Sequence, residues 1–465
     1  MNKIYRTEKD SVGELQIDGQ SYYGIQSYRA KNNFDITGMK MSFTFIKQIA
    51  LIKKAAAIVN GKYGILKKRK AEAIAFACDE ILLGKHKCDF VVDPIQGGAG
   101  TSANMNVNEV VANIAIEHLN GEKGDYSVIS PNDDVNMEQS TNDVIPTAGK
   151  LTVIAKSHEL LRQLERLRKA LYKKAEEFDG ILKMGRTQLQ DAVPMRLGQA
   201  FHSFATAIGR DIARIEKSLG EMHVINMGAT AIGTAINARK EYFEHITEKL
   251  SELFGEQLTR ADDLFDGTQN VDCFVAVSGA LKACAVNLSK MCNDLRLMSS
   301  GPKCGFGEIT LPARQNGSSI MPGKINPVIP EVVNQVAFLV IGHDVTITLA
   351  AEGGQLELNA FEPVIFYQIF ESLRALSGAV ATLTDNCIEG IVANEDRCRE
   401  WVDRGVGIVT ALNPYIGYVK AAEIAKESLA TGVSVKSIAL RDGLIEEDKL
   451  DEILDPFALT EPSVR

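Results

Sequence analysis

Residues 317–331 read Gly317-Ser318-Ser319-Ile320-Met321-Pro322-Gly323-Lys324-Ile325-Asn326-Pro327-Val328-Ile329-Pro330-Glu331, and no other stretch of the chain constrains its reading as tightly. Adjacent serines, a lysine and an asparagine are set among glycines and prolines. Glycine lets the backbone approach a ligand closely, whereas proline fixes φ and stops a regular helix from running through. A long irregular loop of this kind is usually functional or disordered. Ile320, Met321, Ile325 and Ile329 make this one too apolar for disorder. Two readings stay open at this point: an Ω-loop covering a core, or a loop presenting polar side chains to a small molecule.

Outward from the loop, helical periodicity dominates. From Asp143 to Phe178 the only glycine is Gly149 and the only proline is Pro146, near enough to the start to sit in a first turn. Leu160, Leu161, Leu164, Leu167, Leu171 and Ala175 recur there at three- and four-residue steps, with charged residues between them. Similar patterns run over about 197–222, 274–297 and 331–351. The last two are apolar on most faces, which in a bundle of this size favours a core shared between subunits. Clear strand signals are few. Beyond Asn394 the texture changes to short helices broken by Pro414, Gly417, Gly432 and Gly443.

A chain of 465 residues is long enough for two or three domains and a large core. Its net charge of −9 argues against nucleic acid as a main partner, because phosphate binding rests on clustered Lys and Arg. Eight cysteines without a C-x-x-C pair point to reduced thiols rather than to disulfides or a zinc site. The N-terminus, with Lys3, Arg6, Glu8, Lys9 and Asp10, lacks the apolar core of a secretory signal, and no stretch approaches the ~20 apolar residues of a membrane span. The expected compartment is the cytoplasm.

Four polar clusters interrupt these patterns. Thr101 is followed by Asn104, Asn106, Asn108 and Asn113 in an otherwise apolar helical stretch; the cluster reads either as a wet face or as a face turned into a cleft. Gln139, Ser140, Thr141 and Asn142 precede the long helix as candidate N-caps, and a helix N-terminus also favours an anion. Arg186, Thr187, Gln188, Gln190 and Asp191 follow that helix, and Ser318, Ser319, Lys324 and Asn326 lie in the loop. Mostly neutral hydrogen-bonders, with Lys324 the clearest cation, suit a small dicarboxylate and not a metal, which would need clustered His, Cys or carboxylates. The helix of some 36 residues spans roughly 50 Å. If Thr141 before it and Thr187 after it touch one substrate, they come from different subunits.

The loop and several ordered motifs resemble the aspartase/fumarase superfamily over nearly the whole chain. The motifs are Tyr22-Tyr23-Gly24-Ile25-Gln26, Gly100-Thr101-Ser102-Ala103-Asn104-Met105-Asn106, Gln139-Ser140-Thr141-Asn142-Asp143, residues 185–192 and residues 228–234. The resemblance implies a mainly all-α fold, with a long central helix bundle (residues 141–394) flanked by an N-terminal mixed or helical domain (1–140) and a small C-terminal helical domain (395–465). It also implies a homotetramer whose sites are each built from three subunits. Within the superfamily, Ser140-Thr141-Asn142 and the residues after Pro327 look more like aspartases than class II fumarases. Gln188 stands where fumarases and some aspartases carry histidine, and Ala235 where glycine is usual.

The implied activity is reversible anti elimination of ammonia from L-aspartate to fumarate through an aci-carboxylate intermediate. Ser318 is the implied base, acting as an alkoxide that loop N–H groups must stabilise. Thr101, Ser140, Thr141 and Ser319 match positions at the β-carboxylate; Lys324, Asn326 and Thr187 match those at the α-carboxylate; Asn142 and Gln188 match those near the amino group. No cofactor or metal is required on this reading, and activation by Mg2+ is left open. A class II fumarase is the nearest alternative. A non-catalytic helical scaffold is a second, against which the intact Ser318, Lys324 and Asn326 count.

Overall fold

The computed structural model describes residues 5–461, so Lys3 of the charged N-terminal run lies outside the described residues. The chain opens on a hairpin, β1 (Tyr5–Asp10) and β2 (Gly13–Asp18), followed by helices α1 (Ile25–Asn33), α2 (Phe43–Lys62), α3 (Lys68–Leu82) and α4 (Thr101–His118). Helix α5 (Thr141–Glu177) leads into a second hairpin, β3 (Leu182–Thr187) and β4 (Gln190–Arg196), and then α6 (Leu197–Leu219). There follow α7 (Lys240–Phe254), α8 (Leu264–Gln269), α9 (Asp272–Met298), α10 (Val328–Glu352) and α11 (Glu362–Asn386). Short helices from Glu395 onward close the chain. Among the described residues no sheet exceeds two strands, and the fold is helical.

The chain divides into two compact units, one of Met1–Leu161, Ala213–Ala283 and Phe338–Leu376, the other of Arg162–Ile212, Cys284–Ala337 and Ser377–Arg465. In the first unit, Phe45, Phe274, Phe366 and Phe370 form an aromatic core with ring centroids 5.2–5.8 Å apart. Gly149 is the single glycine within α5, and a β-carbon there would lie 2.5 Å from the Phe366 ring. The Tyr22–Gln26 motif is held by one carboxylate. Glu109 accepts the backbone N–H groups of Gly24, Gln26 and Ser27, together with the Ser27 hydroxyl, and burial pushes it up to about 7.

In the second unit, Glu308 is fully buried and binds Arg186 at 2.6 Å and Lys183 at 3.5 Å. Arg186 therefore anchors the β3–β4 hairpin. A separate small core gathers Leu412, Ile424, Ile438, Ala439 and Leu450 from the C-terminal helices.

Three expectations are corrected. The asparagines of α4 form no wet face: Asn104, Asn106, Asn108 and Asn113 are at most 1% exposed, because their amides bind inside. Asn106 accepts from Val91 N–H and donates to the Asp89 carbonyl; Asn113 accepts from Gly124 N–H and donates to the Tyr22 carbonyl. Pro146 sits in the second turn of α5, where its missing N–H would orphan the Asn142 carbonyl. The Asn226 amide donates to that carbonyl instead, at 3.0 Å. Finally, α9 and α10 are each long and apolar enough to cross a membrane by length and composition. Their inner polar groups are paired: Asp344 on α10 binds Ser278 and Lys282 on α9, at 2.8 and 2.5 Å.

At the start of α11, Glu362 is 1% exposed, and among the described residues neither carboxylate oxygen has a hydrogen-bond partner. Burial pushes it up to about 8, against the pull of the Lys150 ammonium. A folded-state value above the unfolded one contributes stability that is complete below about 4.5 and lost as pH rises toward 8. Glu362→Gln, which never ionises, should therefore gain stability over the native chain between pH 5 and pH 8, on the order of 3 kcal/mol. Unfolding midpoints measured across that range check this, and a pH-independent difference would mean that Glu362 is ionised against a cation throughout.

Candidate active site

The N-terminus of α5 is built as a capping box. Ser140 Oγ accepts the Asn142 N–H at 3.2 Å while Asp143 Oδ1 accepts the Ser140 N–H at 2.9 Å. Asp143 is fully buried, and its other oxygen receives the N–H groups of Gly228 and Thr230. That carboxylate joins the start of α5 to the 226–237 loop. Asn142 makes a second tie, donating to the Ala231 carbonyl at 2.7 Å. Thr141 Oγ1 accepts from the Asn104 amide at 3.2 Å. The structure thus brings Ser140, Thr141 and Asn142 together on α5 and links them to α4, whose first residue is Thr101. The capping role expected of Ser140 is real, and the other three members stay at least partly exposed above it.

Ala235 explains why glycine is usual at its position: its φ is 55°, in the left-handed region. Thr230 and Asn237 share that conformation, with φ of 57° and 65°, so this loop is strained at three non-glycine positions.

Thr187 and Gln188 lie at the tip of the β3–β4 hairpin. Thr187 pairs with Gln190 across a two-residue turn in which Gln188 and Leu189 have φ of 54° and 63°. Such a turn ordinarily takes Asn or Gly. Here two longer side chains hold the strained conformation, and both are exposed. Backbone strain of this kind gathers at ligand clamps and switches.

The 317–327 loop closes on itself. Gly317 N–H donates to the Lys324 carbonyl at 2.8 Å, and the Asn326 amide donates to the Gly317 carbonyl at 2.7 Å. A β-carbon on Gly317 would collide with the Lys324 carbonyl, so the pinch requires glycine. Inside it, Ser318 Oγ accepts the backbone N–H groups of Ile320 and Met321 at 3.2 and 3.0 Å. Two donors aimed at one hydroxyl oxygen stabilise negative charge on it. Ser319 and Lys324 are exposed, and Lys324 makes no ion pair among the described residues. Asn326 spends one amide N–H on the pinch, and its second amide N–H has no partner among the described residues.

Sequence reasoning missed the residues behind these groups. Lys53 and Asn136 lie under the α5 terminus, and Glu308 lies under Arg186. Lys53 and Asn136 bind each other across 83 residues of sequence, and Glu308 binds Arg186 across 122, so no local pattern announces either pair.

The comparisons with known proteins agree with one another. A family described as lyase matches residues 13–342, and one described as the fumarase C C-terminus matches residues 408–461. The aspartate ammonia-lyase of a Bacillus species is 50% identical over 464 residues, covering 100% of this chain and 99% of its own. Among solved structures, a fumarate lyase:delta crystallin from Brucella melitensis bound to cobalt superimposes with a TM-score of 0.96 at 48% identity, over 99% of this chain and 100% of that one. A class II fumarase from Schistosoma mansoni superimposes with a TM-score of 0.95 at 32% identity, over 98% of this chain and 99% of that one. Matched along nearly its full length in sequence and in fold, this chain belongs to the aspartase/fumarase superfamily of lyases.

Proposed function

We propose that this chain is a soluble, cytoplasmic aspartate ammonia-lyase that converts L-aspartate reversibly to fumarate and ammonia. Relatedness carries the choice over a fumarase: the aspartate ammonia-lyase relative is 50% identical, the class II fumarase 32%. The chemical reading rests on the loop, where Ser318 Oγ already receives two backbone N–H groups. In this reading the Ser318 alkoxide takes the proton from the carbon beside the β-carboxylate. The electron pair moves into that carboxylate as the aci-carboxylate forms. It then returns to make the double bond as the C–N bond breaks and ammonia leaves from the opposite face.

Catalysis of such a step lies in donors aimed at the developing charge. Thr101, Ser140, Thr141 and Ser319 serve the β-carboxylate. Lys324, Thr187 and the second N–H of the Asn326 amide serve the α-carboxylate, and Asn142 and Gln188 the amino group. No cofactor or metal is needed for these roles.

The working form in this reading is a homotetramer with three subunits contributing to each site. Helix α5 is 37 residues long, about 55 Å, with Thr141 at its first residue and the Thr187 hairpin after its last. Helix α10 exposes Phe338 (64%), Val345 (57%) and Leu349 (65%) at seven- and four-residue steps, an apolar stripe suited to packing against another copy.

Two outcomes test this. Ser318→Ala should keep the fold and oligomer but lose aspartate turnover by on the order of 10³-fold or more, followed by fumarate absorbance. Near-native activity would remove Ser318 as the base, and activity on malate but not aspartate in the native enzyme would replace the reading with a fumarase. For assembly, Thr141→Arg and Ser318→Ala chains, each nearly inactive alone, are unfolded, mixed and refolded together. Some mixed tetramers then hold a site with neither lesion, and partial activity returns. Mixed tetramers verified by mass but without activity would place both residues in one subunit's site.

A further inference from the structure

Beneath the Ser140–Asn142 turn, the first unit encloses a polar core that the chemistry above does not use. Lys53 on α2 is fully buried. Its Nζ donates to Asn136 Oδ1 at 2.7 Å. The same oxygen accepts the amides of Asn104 and Asn108 from α4, at 3.1 and 3.2 Å. Asn136 is held at its other end as well, its own amide donating to the Gln139 carbonyl at 3.2 Å. One side-chain oxygen thus collects three donors, one of them an ammonium.

From this hub the chain of bonds leads outward. The Asn104 amide also reaches Thr141 Oγ1 at 3.2 Å. A hydroxyl has a single hydrogen, so an oxygen that accepts from Asn104 keeps its own O–H for another partner. Among the described residues the Thr141 hydroxyl donates to nothing, which leaves its hydrogen for a ligand carboxylate.

Stability does not account for Lys53. A buried ammonium whose hydrogen bond goes to a neutral amide is costly, and an apolar residue of similar length would serve packing better. Burial pushes Lys53 down to about 7, opposed by Asp143 on α5 and Cys78 on α3, and it pushes Asp143 up to about 6. What Lys53 does in the structure is donate into the cluster of amides that orients Thr141.

We propose that Lys53 is a positioning residue for the elimination: by clamping Asn136 it fixes the Asn104 amide on Thr141 and so presents the Thr141 hydroxyl as a donor to the substrate. This rests on the reading of Thr141 as a β-carboxylate contact. Because charge develops on that carboxylate in the transition state, the clamp acts on kcat more than on KM.

The test is a double-mutant cycle on the intact oligomer, with aspartate as substrate. Lys53→Met should lower kcat roughly 10- to 100-fold with KM within about threefold, at unchanged oligomer size. Thr141→Val should be impaired, and Lys53→Met added to it should cost nothing further, since the hydroxyl it orients is gone. A merely structural role would lower activity again in the Thr141→Val background, and that result overturns the proposal. So does native kcat in Lys53→Met, or an unimpaired Thr141→Val. If Lys53→Met does not fold, Asn104→Leu interrupts the same chain of bonds, and the same non-additivity with Thr141→Val is required of it. A native enzyme inactive on aspartate fails the functional reading itself, which the wild-type control reads separately.

Discussion

One buried carboxylate holds the first part of the candidate site in place. Asp143 cannot be left in the interior without donors, since an unpaired buried charge is among the most costly features a fold can carry. It receives three backbone N–H groups, from Ser140 in its own capping box and from Gly228 and Thr230 some 85 residues on. Meeting that requirement brings the 226–237 loop onto the start of α5. The loop in turn delivers Asn226, whose amide satisfies the Asn142 carbonyl orphaned by Pro146. A proline in the second turn, a strained loop and a helix terminus are therefore one solution to a single electrostatic demand. Ser140, Thr141 and Asn142 sit on the result, beside the N-terminal helix end that favours an anion.

The three groups of candidate residues are held with different stiffness. Ser140–Asn142 are tied by hydrogen bonds to Asn104, Asp143, Ala231 and Asn226. The 317–327 loop is tied mainly to itself, through Gly317, Lys324 and Asn326, while Ile320 above it is 83% exposed. The hairpin tip carries two consecutive left-handed residues, neither of them glycine. Exposed and partly strained segments of this kind lie at the low-stability end of a structure, where ligand-binding loops are drawn from.

How legible this was in the sequence follows from which interactions are local. The long helices read clearly because leucines at three- and four-residue steps mark a buried stripe, and Leu160, Leu164, Leu167 and Leu171 are all fully buried. The loop stood out because glycine and proline act through the backbone where they occur. Ser140 as a cap was readable for the same reason. The asparagines of α4 were not, since a helix face rich in amides looks the same whether water or the protein interior satisfies it. Pro146 was misplaced by one turn because the group that rescues its orphaned carbonyl lies 84 residues away. Lys53, Asn136 and Glu308 gave no signal, because the bonds Lys53–Asn136 and Arg186–Glu308 join residues 83 and 122 apart.

That last class of residue also resolves a tension in the composition. A chain of net charge −9 is a poor long-range attractor for a dicarboxylate, and of the site residues inferred from the sequence only Lys324 is a cation. Local structure supplies what the surface lacks. The N–H groups at the start of α5, the pair directed at Ser318 and the hydroxyls of Thr141 and Ser140 are neutral dipoles with fixed directions. In a water-excluded site they act more strongly than in solvent and need no reorganisation as charge moves. Fixed direction has its own requirement, because a neutral hydroxyl helps only if its hydrogen points the right way. A core of buried amides around a buried ammonium is an expensive means of stabilising a fold and an effective means of setting that direction.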